Sequence, residues 1–117
     1  MAEQSILLFV SDRPVRSSLQ FALSLDGFSV GDGLEVRDRS RATGLVIDQA
    51  CGGDGMGVLA SLRAAGCAAP AVLLATNPTR ALRARAAERG AVIVEKPLLG
   101  DDLPRALRAM LNPDEAA

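Results

Sequence analysis

Apolar positions along the chain fall into short unbroken runs, separated by stretches in which they recur every three or four residues. Ser5-Ile6-Leu7-Leu8-Phe9-Val10 is the first run, of strand length and without the alternation of a half-exposed strand. Ser11 or Asp12 can cap a helix after it, with Pro14 in a first turn where a missing N–H costs nothing. Val15, Leu19, Ala22, Phe21 and Leu25 then recur at helical spacing, and Gly27 stands where a helix stops. Phe28-Ser29-Val30 predicts a short second strand, and residues 31–43 are polar enough to predict one or two helical turns at most. Gly44-Leu45-Val46-Ile47 is a third strand ending on Asp48, and the glycine-rich CGGDG leads into a helix over Met56–Ala65. Ala71–Ala75 and Ala91–Val94 complete the strands. Asn77-Pro78 predicts the cap and first turn of a helix reaching Arg89. Asp101 or Asp102 opens a last helix with Leu103, Ala106, Leu107, Met110 and Leu111 on one side, closed by Asn112-Pro113.

Five apolar strands alternating with helices predict an α/β fold, a parallel sheet covered on both faces by right-handed crossovers. In such sheets the working crevice lies at the carboxyl ends of the strands, where strand order reverses. Ser11, Asp12, Asp48, Ala75, Thr76, Glu95, Lys96 and Pro97 all fall at those ends. The 117 residues read as one domain over 1–117, with a core of about 4–112 and a tail at 113–117.

Composition narrows the chemistry. The chain has no histidine, which removes histidine bases, most zinc sites and the role of phosphohistidine donor. Cys51 and Cys67 are the only cysteines and lack CxxC spacing, so a reduced, cytoplasmic setting fits. A net charge of −1 and three aromatic residues, all phenylalanine, argue against nucleic acid. Apolar runs of four or five residues are too short to cross a membrane, and MAEQSILLFVSD has no signal-peptide pattern.

At the strand ends, Asp12 and Asp48 would repel one another unless a cation intervened. A hard ion such as Mg²⁺ takes oxygen ligands and keeps several waters, so two carboxylates and a carbonyl suffice for it. Lys96 adds a compact second positive charge. This set suits phosphoryl transfer onto a carboxylate, with Asp48 attacking in line.

These residues, in FVSDRPVRSSLQFALSLDGFSV, LVID with its glycine-rich loop, PAVLLAT and GAVIVEKP, resemble the receiver domain of bacterial two-component response regulators over nearly the whole chain. Val15-Arg16 through Gly27-Phe28 and Glu95-Lys96-Pro97 are especially similar to its FixJ-type branch. The resemblance implies a CheY-like, doubly wound sheet of order 2-1-3-4-5, here with a shortened second helix. It implies a phosphoacceptor at Asp48, a metal-binding acid at Asp12, the Ala50 carbonyl as third metal ligand, and a phosphate contact from Lys96. It also implies a histidine kinase or phosphotransfer protein as donor. A downstream partner would meet the face built from the helix after the fourth strand, the fifth strand and the last helix. Arg80, Arg83, Arg85, Arg89, Arg105 and Arg108 make those two helices basic, which suits either a solvated face or an acidic partner.

Departures from the pattern bear on function. Ser11 stands where the family has a second acid, and its hydroxyl is expected to reach the metal through a water. The switch hydroxyl aligns with Ala75, and Thr76 takes its place only if the strand slips or bulges. Val92 or Ile93 replaces the aromatic switch residue. A pseudo-receiver that binds proteins without phosphorylation is therefore the rival reading. An aspartate-nucleophile hydrolase is disfavoured, because Ala50 occupies the position of its required second acid. Taken singly, Asp48 can be a strand-end cap, Lys96 a solvated loop residue and Cys51 merely a small side chain. GGDGMG lacks the spacing of a nucleotide-binding loop.

Overall fold

The computed structural model describes residues 4–36 and 38–112, so the expected tail and the closing Pro113 lie outside the described residues. The uninterrupted apolar runs become strands because they are buried on both sides. In β1 (Ser5–Phe9) burial is complete from Ile6 onward, and in β3 (Gly44–Asp48) and β4 (Ala71–Ala75) every residue is buried. β2 (Ser29–Asp32) and β5 (Ala91–Glu95) are more open and form the two edges. All pairings are parallel, in the order β2-β1-β3-β4-β5, the sheet expected from the sequence.

Alternate residues of each strand feed two cores. Leu7, Phe9, Leu45, Ile47 and Leu73 pack on one face against Met56, Leu59 and Leu62 of α2 (Gly55–Ala64) and Ala86 of α3 (Arg80–Glu88). On the other face, Ile6, Leu8, Val46, Val72 and Leu74 meet Leu23 of α1 (Arg13–Leu25) and Leu103 and Leu107 of α4 (Asp102–Leu111). Burial on both faces is the reason these strands read as continuous apolar runs.

Two elements depart from expectation by more than one residue. β2 starts after Phe28 and runs through Gly31 to Asp32, because pairing of Leu7 with Gly31 and Leu8 with Asp32 outweighs their poor strand propensity. Asn77-Pro78 does not open α3: Asn77 has φ 46°, in the left-handed region, and Thr79 in extended backbone accepts the Leu82 N–H at 3.0 Å. Among the described residues, the stretch between β2 and β3 holds a turn at 33–35 and no helix, within the one or two turns at most that its polar sequence predicts. Asp32 organises that turn, its carbonyl accepting the N–H of Glu35 and Val36 and its Oδ1 that of Leu34.

Candidate functional site

Asp48 is the one buried charged side chain among the described residues, at 7% exposure. An ionised carboxylate at that depth needs compensation, and two donors supply it. The Lys96 ammonium lies 3.1 Å from both Oδ1 and Oδ2, and the Ala50 N–H donates to Oδ1 at 2.8 Å. Parallel pairing brings this about. β3 and β5 both flank β4, with Asp48 opposite Leu74 and Glu95 opposite Ala75, so Lys96 emerges one residue past the edge and reaches back. The Lys96 N–H donates to the Ala75 carbonyl at 2.9 Å, and the bond to Pro97 is cis.

Ser11 and Asp12 follow β1 two and three residues past Phe9, whose partner Ile47 immediately precedes Asp48. Asp12 is exposed and caps α1, its Oδ1 accepting the Val15 N–H at 3.1 Å. Ser11 turns toward the loop after β3, where its hydroxyl donates to Cys51 Sγ at 3.5 Å and accepts the Gly52 N–H at 3.3 Å. Ala50 precedes a 3-10 turn over Cys51–Gly53, and its carbonyl accepts the Gly53 N–H at 3.0 Å.

The structure thus joins Asp48, Lys96 and Ala50 directly, and draws Ser11 to the loop that follows them. Thr76 is different. β4 keeps unbroken register with β5 through Ala75, so the slip or bulge on which a Thr76 switch depends is absent, and Thr76 is exposed past the strand's end. Two contributors escaped the sequence reading. Gln49 ties α2 to the end of β3, its carbonyl accepting the Gly55 N–H at 2.8 Å and its Oε1 the Met56 N–H at 3.0 Å. Arg16 holds the β1 edge by donating to the Val10 carbonyl at 2.9 Å while pairing with Asp32 at 3.3 Å. Its helical position four residues after Asp12 was the available signal, but its acidic partner on β2 is set by strand pairing.

No protein-family model matches the chain. It is 34% identical over 123 residues to the response regulator MprA of Mycobacterium leprae (strain TN), an alignment covering 96% of this chain and 54% of that relative. The chain therefore spans about half the length of this curated relative. Among solved structures, it superimposes with a TM-score of 0.83 on a CheY-like response regulator receiver domain from Methanospirillum hungatei JF-1, at 16% identity and 98% coverage of both chains. Its fold is that of response regulator receiver domains, and its sequence is similar to a response regulator over nearly its whole length. A receiver domain of a LuxO repressor protein from Vibrio parahaemolyticus is similar to the same degree, with a TM-score of 0.83, 14% identity, and coverage of 98% of this chain and 95% of that one. At these identities the structural likeness concerns the fold.

The donors expected from the sequence suit a hard cation in kind. Carboxylates of Asp12 and Asp48 and the Ala50 carbonyl are all oxygen donors, and two carboxylates with retained waters satisfy Mg²⁺. The set is sparse: among the described residues, no group of three or more His, Cys, Asp or Glu side chains could hold a metal. Of the expected basic face, Arg83 pairs with Glu95 at 2.6 Å, Arg105 with Asp101 at 2.8 Å, and Arg108 with Asp26 at the end of α1. Much of that positive charge is met within the domain.

Proposed function

We propose that this receiver acts in two-component signalling by accepting a phosphoryl group on Asp48 from the phosphohistidine of a histidine kinase or phosphotransfer protein. The observation that supports this most is the buried Asp48 carboxylate, spanned by the Lys96 ammonium at the carboxyl edge of the sheet. Oδ1 is held by Lys96 and Ala50 together, and Oδ2 by Lys96, so Oδ2 is the less encumbered nucleophile. In the step, Oδ2 attacks phosphorus, the phosphorus–nitrogen bond breaks, and its electron pair leaves with the donor imidazole. An acyl phosphate carries nearly two negative charges. Lys96 then turns from the carboxylate to the phosphoryl oxygens, and the Ala50 N–H is free to follow. Mg²⁺, held by Asp12, Asp48 and the Ala50 carbonyl, would supply further neutralisation of the transferring oxygens.

The readout in this proposal runs through the loop after Lys96 to the face of α3, β5 and α4, where Arg80, Arg83, Arg105 and Arg108 meet a downstream protein. No helix among the described residues is long and apolar enough to cross a membrane. Both cysteines are free thiols, in keeping with a reducing, cytoplasmic setting.

Incubation with Mg²⁺ and a small acyl-phosphate donor is expected to add the mass of one phosphoryl group to the wild type and none to Asp48→Asn. A second reading, a pseudo-receiver that binds proteins without phosphorylation, is favoured by Ser11 and Ala75, which lack the acid and the hydroxyl of the family pattern. Absence of both the mass gain and Mg²⁺ binding selects it.

A further inference from the structure

We propose that Ser11 is a positioning residue that latches the acceptor loop to β1 before any metal arrives, rather than a ligand reaching the metal through water. The proposal rests on the phosphoacceptor reading of Asp48 and adds a role for a residue that departs from the family pattern. Backbone hydrogen bonding in the loop shows what the latch holds. Ala50 N–H goes to Asp48 Oδ1, Gly53 N–H to the Ala50 carbonyl, Asp54 N–H to the Cys51 carbonyl, and Gly55 N–H to the Gln49 carbonyl. Each of these bonds closes within the loop or onto the strand just before it. The Gly52 N–H instead crosses to the segment just after β1, where the Ser11 hydroxyl accepts it at 3.3 Å. That hydroxyl spends its own proton on Cys51 Sγ at 3.5 Å, so both its donor and one acceptor lobe are committed to the loop.

The loop needs such a tether. Gly52 and Gly53 both lie in the left-handed region, at φ 62° and 85°, and a Cβ built on either meets nothing within 4 Å. Two glycines with open space around them contribute backbone freedom and no packing. The buried Cys51 side chain pins one side of the turn, and Ser11 pins the next peptide. Fixing the Cys51–Gly52 peptide steadies the turn whose start carries the Ala50 N–H onto Asp48, while the Ala50 carbonyl has its own hold from the Gly53 N–H. A carboxylate in place of Ser11 would also accept the Gly52 N–H, but would add a third negative charge beside Asp12 and Asp48 that a cation must then offset.

Amide exchange in the metal-free protein tests this directly. Ser11→Ala is expected to speed exchange at Gly52 by about fivefold, the loss of one ordinary hydrogen bond. The maximal rate of Asp48 labelling by an acyl-phosphate donor should fall severalfold, and Ser11→Thr, which keeps the hydroxyl, should restore both. The Mg²⁺ concentration for half-maximal labelling should stay within about twofold in Ser11→Ala, whereas removing a group that orients a metal ligand costs about tenfold or more. Unchanged Gly52 exchange in Ser11→Ala overturns the latch, as does a tenfold loss of Mg²⁺ affinity with exchange unaltered. If the wild type takes up no phosphate, the phosphoacceptor reading fails, while exchange at Gly52 still decides for or against the latch.

Discussion

A Cβ placed on Gly55 would lie 2.5 Å from the carbonyl oxygen of Asp48 and 2.7 Å from the Cα of Gln49. The first turn of α2 therefore touches the backbone at the end of β3, with no side chain between them. Both contacts are with main chain, which cannot swing aside as a flexible side chain would. Gly55→Ala is expected to destabilise the domain by about 1–3 kcal/mol, the usual cost of overpacking. It should also lower phosphate uptake at Asp48, because relief comes only from moving the acceptor or the helix. Urea unfolding and the acyl-phosphate mass assay measure the two effects; wild-type values in both would show that the approach is not constrained.

The Asp48–Lys96 pair has unequal partners, with side-chain exposures of 10% and 31%. Removing the lysine leaves a mostly buried carboxylate with the Ala50 N–H alone, whereas removing the charge of Asp48 leaves an ammonium that can still reach water. Lys96→Met is therefore expected to cost more stability at neutral pH than Asp48→Asn. A double-mutant cycle should return a favourable coupling of about 1–2 kcal/mol, less than a fully buried pair because Lys96 is partly solvated. A coupling near zero would mean that the 3.1 Å contacts contribute no more than an exposed ion pair does.

Much of this site was legible in the sequence, for a physical reason. Strands buried on both faces must be continuous apolar runs, so the residues that interrupt them, Asp48 and Lys96, mark the edge of the sheet where the crevice lies. Topology then did the rest, since parallel pairing puts all such edges on one side. Contacts made by backbone conformation were not legible. The choice of Thr79 over Asn77 as the α3 cap depends on Asn77 entering the left-handed region at φ 46°, a conformation asparagine adopts as well as it caps a helix. The cross-chain bonds of Ser11 to Cys51 and Gly52 depend on the path of a glycine-rich turn, and glycines leave almost no pattern to read. The arginines of α3 and α4 formed a basic face on paper because charge patterning along one helix does not show acids on its neighbours. Asp26, at the end of α1, is 82 residues from Arg108.

Arg63 is a structural residue whose loss should be severe for a surface arginine. Its guanidinium donates to the carbonyls of Arg89 at 2.9 Å, Cys67 at 2.9 Å and Ala69 at 2.6 Å, with Gly90 at 3.4 Å. One planar fork thereby joins the end of α2, the loop before β4 and the turn before β5. Arg63→Met keeps much of the apolar stem and orphans these acceptors, at an expected cost of about 2–4 kcal/mol for several charge-assisted bonds. Arg63→Lys should recover little, because a single ammonium cannot span carbonyls approached from different directions. Thermal denaturation of both variants checks this, and a lysine variant as stable as the wild type would show that charge, not the fork, matters.

Ala75 is buried at 3% exposure, where β4 meets the acceptor strand on one side and Glu95 of β5 on the other. A methyl group there cannot hydrogen-bond to a phosphoryl group on Asp48, which leaves Lys96 and the Ala50 N–H as the groups in contact with Asp48 that could respond to one. Ala75→Thr adds a hydroxyl and a methyl group at a packed position, and is expected to cost about 1–2 kcal/mol of stability. In exchange for that strain, the hydroxyl gives β4 a direct contact with the charged site, and phosphate-driven changes in amide protection across α3 and β5 should grow. Thr76→Ala serves as the control, because Thr76 lies exposed beyond a strand that shows no slip, and its loss should leave the response as it was. If Ala75→Thr responds to the acyl-phosphate donor no more strongly than the wild type, the missing hydroxyl is not what limits the readout. If Thr76→Ala weakens the response, the strand must slip on phosphorylation and bring Thr76 to the site after all.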